Sequence, residues 1–472
     1  MTTDDERPSD GDPRAPCPHC GTAILVGARK CRGCKRWLDG RPSARARWTK
    51  LGLVGAAAIL VASVSLARRP TTVGEAPPLT PMARPGSAEP GANGEPSPAA
   101  IGPTPEPSAS SAVPSAPEPD SPWRSRTLRV DVHPLDAVFS DDGATLYVSG
   151  DDAKIRAYDV ATGKVVRVAS APAQGDRLEL LHGRYLAVIR RKDAAHIPLL
   201  DVQTWDRDAT LLQVGEGPAD VLALPDGKTL LTASSEARRI GWHDAASGRL
   251  LAELRLSHEP DRLFFMQSKG RTFVGALGLS AQSDTPSHAS LELFDPLERP
   301  FGATRRTVSL GRDPRGGSVS LDGRHLLTAD RLSNSAWLFN VEGSQRPVSI
   351  PVGQGPIAAF VLGGKYGLTL DGQARTATVI DLAAARRTTT LLLPESPSRG
   401  TTDAAGTWLA VALGGTTWPP KGRGVVLIAG DPPQIVARHD TGAGAGAVSA
   451  SRDGRRVVVS CYADRELTLL ER

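Results

Sequence analysis

Residues 214–250 read VGEGPADVLALPDGKTLLTASSEARRIGWHDAASGRL, and this stretch decides the fold. A glycine-rich opening leads into a short apolar run, then Pro225-Asp226-Gly227. A second apolar run, TLLTA (229–233), follows at once, and a third, RIGWHDA (239–245), ends on Asp244 and a turn through Gly248. Asp-Gly supplies the positive φ that a tight hairpin needs. Three short strands and a start toward a fourth within about 40 residues make one antiparallel meander.

The unit recurs outward in both directions. Aligned turn glycines are Gly143, Gly183, Gly227, Gly270, Gly323, Gly364, Gly406 and Gly454, with spacings of 40, 44, 43, 53, 41, 42 and 48 residues. An apolar second strand follows each, for example LYVSG (146–150), HLLTA (325–329) and RVVVS (456–460). Third strands such as KIRAYDV (154–160) end on Asp159, whose side chain is suited to cap the turn that follows. A period of about 40–45 residues is that of four-stranded propeller blades. Eight units predict an all-β, eight-bladed β-propeller over 123–472, with seven blades as the alternative if a degenerate unit near 175–214 or 396–440 is misread. The eighth unit stops on its third strand, ELTLLER (466–472), while RTLRVDV (126–132) precedes the first unit as a spare strand. Pairing the two would close the ring and leave no bare edge there.

The openings Val214-Gly-Glu-Gly-Pro218 and Val352-Gly-Gln-Gly-Pro356, with PDGKTLLTAS after the first, resemble the YVTN-type β-propeller repeat. That family is a relative of the quinoprotein and WD-repeat propellers. The resemblance covers nearly all of 126–472 and implies the fold; it implies little about activity. Regular Trp-Asp endings and Gly-His openings, the marks of WD repeats, are missing from the sequence.

Upstream, composition changes three times. Residues 70–122 hold 15 of the 39 prolines and no aromatic residue. Such a segment cannot bury enough apolar surface to offset ordering entropy, so it reads as a disordered stalk. Before it, Leu51–Ala67 is a 17-residue uncharged apolar run flanked by Trp48, Lys50, Arg68 and Arg69. It is read as a transmembrane helix over 48–69. Residues 31–50 carry seven Lys/Arg against three in 68–87, which orients the N-terminus to the cytoplasm and the C-terminal domain outside it, in periplasm or at the cell surface of a bacterial envelope.

Cys17-Pro-His-Cys20 and Cys31-Arg-Gly-Cys34 lie ten residues apart. Two such pairs offer the four thiolates of a tetrahedral zinc site. The segment resembles the short zinc ribbons, which often begin CPxCG as Cys17–Gly21 does. It predicts a structural zinc ribbon over 15–40, behind a disordered 1–14, with Cys17, Cys20, Cys31 and Cys34 as ligands and zinc as the cofactor. A redox dithiol or two disulfides is the competing reading. Thiolates persist in a reducing cytoplasm, in agreement with the orientation. Cys461 stands alone and reads as a buried small side chain rather than a nucleophile.

Charge bounds the partners. Residues 123–472 carry 42 basic and 39 acidic residues, so no strongly basic surface recommends nucleic acid as ligand. The repeats contain no haem-attachment motif, phosphate loop or nucleophile elbow. The His residues occupy inconsistent repeat positions, and no ring of His or carboxylates at equivalent inner-strand positions stands out. The expected role is therefore a non-catalytic binding scaffold for an envelope protein or polymer, with a cytoplasmic protein at the zinc ribbon. The alternatives are a transmembrane sensor coupling propeller to ribbon and a propeller enzyme of the lactonase or dehydrogenase type. Two units carry insertions between second and third strands, 278–290 and 414–424, which should emerge on one face. Trp418, between Thr417 and Pro419 in the second insertion, is the candidate binding residue. The competing reading folds it back on its own blade.

Overall fold

The computed structural model describes residues 14–16, 23–25, 122–171, 175–192, 194–205, 209–280, 289–343 and 346–472. The chain divides into two compact units, Met1–Ser108 and Ala109–Arg472. In the first, Arg14–Pro16 pairs antiparallel with Ala23–Leu25. The four N-terminal cysteines, the apolar run 51–67 and the stalk to residue 121 lie outside the described residues. Among the described residues no helix is long and apolar enough to cross a membrane.

The second unit is an eight-bladed β-propeller, and the seven-bladed alternative falls. Each blade is a four-stranded antiparallel meander, strands a to d from the axis outward. The a strands are Pro134–Phe139, Arg177–Leu181, Pro218–Ala223, His258–Ser268, Pro314–Val319, Pro356–Leu362, Arg399–Thr402 and Ala445–Ala450, in blades 1 to 8. All eight turn glycines between strands a and b adopt positive φ, from 61° to 75°. That conformation costs glycine nothing and strains any other residue. At the turn into strand d, the Asp159 carboxylate accepts from Thr162 N and Oγ1 at 2.8 and 2.7 Å. Asp244 does the same with Ser247.

Burial explains the strand composition. Most b and c strands carry runs of four or five consecutive buried residues, as in Thr229–Ser234 and Arg239–Asp244. Both faces of each blade pack on a neighbour, so the polar alternation of a half-exposed sheet is lost. Among the described residues the apolar core resolves into eight clusters, each shared by two adjacent blades. Strands d face solvent, with Arg386–Leu392 almost wholly exposed. At about 1.5–3 kcal/mol per buried Leu, Ile or Val side chain, the ring is held by its interfaces rather than by any single blade.

Closure follows the spare strand, shifted by two residues. Arg124–Arg129, not 126–132, pairs antiparallel with Glu466–Glu471 and completes blade 8 as its strand d. Val130 and Val132 leave that sheet and pack instead into the cluster between blades 8 and 1. In blade 4, residues 278–280 continue strand b (Arg271–Ser280) rather than opening the insertion; 281–288 lie outside the described residues. Cys461 is a free thiol, fully buried in the cluster between blades 7 and 8, and burial pushes its pKa up.

Candidate functional site: the axial channel and its mouth

In an antiparallel meander the b–c and d–a connections emerge on one face of the ring and the a–b and c–d turns on the other. The first face carries the long loop of blade 7 between Trp408–Ala412 and Val425–Ala429. Its base is pinned to blade 8: Gly444 N and Ala445 N donate to Gly422 O at 2.9 and 3.1 Å, and Lys421 N and Gly422 N return to Gly414 O. A Cβ on Gly414 would collide with the Ala445 carbonyl and one on Gly422 with the Leu413 carbonyl, so only glycine permits this approach. Ser398 Oγ donates to Ala445 O at 2.7 Å and stitches blade 7 to blade 8 from below.

On this fixed base Trp418 stands 70% exposed. It does not fold back on its own blade. Its ring leans on Tyr462 of blade 8, with centroids 5.2 Å apart. Tyr462 stacks in turn on His133 at 4.8 Å. His133 Nδ1 lies 2.7 Å from the Tyr462 carbonyl, and Arg465 Nε donates to His133 Nε2 at 3.1 Å, which selects the Nδ1–H tautomer. The three rings come from blade 7, the b–c loop of blade 8 and the entry to blade 1. Trp418 and Tyr462 border a mainly apolar hollow of about 240 Å³ that also touches Pro134, Ile357, Ser398 and Arg399.

Ile357, Ser398 and Arg399 also line the axial channel, a larger cavity of about 540 Å³ walled by a strands. The mouth thus runs into the channel. One ring position decides the channel's chemistry. It is occupied by Asp136, Arg177, Asp220 and Arg262 in blades 1 to 4, which pair with corresponding residues of their b strands. In blades 5 to 8 it is occupied by Gly316, Ala358, Arg399 and Ala447, the first and last of these inside bulges. The equivalence is hidden in the sequence because six a strands carry a β-bulge near their first residues, which shifts the count from the preceding turn. The recoverable signal is Pro-x-Asp at both 134–136 and 218–220.

The two aspartates are clips between blades. Asp136 accepts from its own Ala137 N and, across the interface, from Leu178 N, each at 2.9 Å. Asp220 accepts from Val221 N at 3.0 Å, from Leu263 N of blade 4 at 2.8 Å and from Arg177 Nη2 at 2.7 Å. Arg177 also reaches Glu179 at 3.0 Å. Burial raises the pKa of Asp136 despite Arg399 and its two backbone donors, and burial raises that of Glu179 despite Arg177.

Arg262 and Arg399 are held loosely. Arg262 has one carboxylate, Asp261, at 3.9 Å, and Asp261 is already paired with Arg191. Burial raises Asp261, but Arg191 and Arg262 outweigh it and keep the carboxyl low. Burial, aided by the charge of Arg177, pulls Arg262 down to about 10. Among the described residues Arg399 has a single carboxylate, Asp136, at 3.9 Å, and it is half exposed. Among the described residues, Nη1 of Arg177 and Nη1 of Arg262 are buried without a protein hydrogen-bond partner.

Among the described residues no group of three His, Cys, Asp or Glu side chains comes together in a way that could hold a metal ion. No family model matches the sequence, and no curated protein matches it. Among solved structures, Kuenenia stuttgartiensis hydrazine synthase matches with a TM-score of 0.49 and 18% identity, over 73% of this chain and 97% of that one.

Proposed function

We propose that the propeller is a binding scaffold that receives an envelope protein or polymer at the channel mouth. It would be carried outside a membrane by the span at 48–69 and the stalk at 70–122. A structural zinc ribbon (15–40) would stand on the cytoplasmic side, where it meets a cytoplasmic protein. The observation that carries the reading is Trp418: a large aromatic held in solvent by a rigid, glycine-closed loop beside an apolar hollow. Leaving such a ring exposed has a cost in solubility that a partner recovers, and aromatic anchors next to a pocket are where binding energy concentrates.

Other features support the wider reading. The glycines of the Val214–Pro218 and Val352–Pro356 openings include Gly215, Gly217 and Gly355 at positive φ, as a fixed loop motif requires, and we take the repeats to be of YVTN type. The strand pair Arg14–Pro16 and Ala23–Leu25 brackets Cys17 and Cys20 in sequence, as the hairpin of a zinc knuckle would. The basic run ahead of residue 51 favours the cytoplasmic side for the cysteines.

Affinity capture from envelope extract with the full chain tests the central point. The wild type retains a partner and Trp418→Ala loses it. Equal capture by both chains, or none by either, contradicts the reading. For the topology, a membrane-impermeant thiol reagent on intact cells should leave Cys17, Cys20, Cys31 and Cys34 unlabelled, and metal analysis should find one zinc per chain.

A further inference from the structure

The axial channel carries more positive charge than its own carboxylates satisfy. Its wall includes three guanidinium groups, Arg177, Arg262 and Arg399, and two carboxylates, Asp136 and Glu179. Asp136 is occupied by two backbone N–H groups, and Glu179 by Arg177. Asp220, behind the wall, divides its oxygens among Arg177 and two backbone donors. Arg262 and Arg399 are left with single carboxylate contacts at 3.9 Å, and buried Nη1 atoms on Arg177 and Arg262 lack a protein acceptor. A guanidinium fork lining a cavity matches an oxyanion in charge and in geometry. Apart from the hydroxyls of Ser398, Thr401 and Ser449, the rest of the wall is glycine or apolar, as at Gly316, Ala358 and Phe360, and adds no further charge.

From this arrangement we infer that the channel is an anion site, taking a carboxylate or phosphate group between Arg262 and Arg399 with Arg177 as a third donor. The inference deepens the scaffold reading and rests on it for the larger partner: a ligand whose apolar part lies against Trp418 and Tyr462 would send its anionic group down past Ser398 to Arg399. Arg399, which borders both the mouth and the channel, links the two subsites.

Isothermal titration of the purified full chain with inorganic phosphate and, separately, with succinate tests this. At least one of the two should bind at one site per chain with a dissociation constant below about 1 mM. The anion that binds tells phosphate from carboxylate chemistry. Arg262→Gln and Arg399→Gln should each weaken binding at least about tenfold, and added salt should weaken it further. Leu321→Ala, in an a–b turn on the opposite face, should bind as the wild type does. Arg399 is half exposed and makes one long ion contact, so its variant keeps its melting temperature and remains informative if Arg262→Gln misfolds. Absence of binding by both anions at about 20 mM, or Arg399→Gln matching wild type, overturns the inference. Partner capture that depends on Trp418 while neither anion binds would leave the scaffold reading standing and this one refuted. Anion binding with no captured partner would do the reverse.

Discussion

Blades 1–4 and blades 5–8 share one topology but hold the axis by different means. In the first half the equivalent ring position reads Asp, Arg, Asp, Arg, and its carboxylates accept backbone N–H groups from the next blade. In the second half the position reads Gly, Ala, Arg, Ala, and the inner strands approach through small residues, with uncharged Ser398 as the stitch between blades 7 and 8. The small-residue solution removes polar groups from the interior, whereas the charged solution pairs most of them and leaves Nη1 of Arg177 and of Arg262 without a protein partner among the described residues. The charged solution fixes each blade to the next through directional bonds. The small-residue solution leaves space at the axis and at the mouth, and there Arg399, the hollow and Trp418 are found. The asymmetry therefore separates a clipped half from a receiving half within one ring.

The largest effect should come from breaking a clip. Asp220→Ala leaves Arg177 half-paired and Leu263 N without its acceptor, and should cost about 3–5 kcal/mol in denaturant unfolding. A loss below about 1 kcal/mol would mean that the charged half is held by apolar contacts alone.

The second break is by acid. In blade 4, Glu292 is buried and accepts from Ser257 N and Oγ at 2.8 and 2.6 Å and from His258 Nδ1 at 3.2 Å. Burial raises its pKa, but these donors outweigh it and bring it to about 2. A carboxyl with a depressed folded pKa stabilises above its unfolded value, near 4.5, and loses that contribution as pH falls toward 2. Glu292→Gln should therefore lose about 3 kcal/mol near neutral pH, and the difference from wild type should vanish as pH approaches 2. A gap that is constant with pH would contradict this.

In the receiving half the test is steric. A Cβ on Gly400 would lie 2.8 and 2.9 Å from ring carbons of Phe360. Gly400→Ala should cost about 1–3 kcal/mol through displacement of that ring, read as a lower melting temperature. The smallest effect on stability belongs to Trp418→Ala, within about 0.5 kcal/mol, because the side chain is mostly solvent-exposed. A larger loss would make Trp418 a structural residue and weaken its assignment to binding.

Much of the ring was legible from the chain alone because blade turns are local chemistry. Asp-Gly and related pairs announce positive φ, and strands buried on both faces announce themselves as continuous apolar runs. Closure was legible as a missing strand at one end and a spare at the other. Its offset was not, because Val130 and Val132 look like strand residues until the neighbouring blade claims them for its core. Trp418 was visible as an aromatic in an insertion, whereas its support by Tyr462 and His133 depends on residues some 40 positions downstream and nearly 290 upstream, brought together by closure. Asp136, Asp220 and Arg262 were missed for a different reason, the bulge in each of their strands. A bulge of one residue moves a side chain from one face of a strand to the other, and periodic counting cannot place it.

The account rests on one face of the ring receiving the partner. A photo-crosslinking residue placed at Trp418 and, in a second chain, at Leu321, which is 66% exposed on the opposite face, tests it in intact cells. Adducts at position 418 and none at 321 are predicted. Adducts at 321 alone, or equal yields at both, would contradict it.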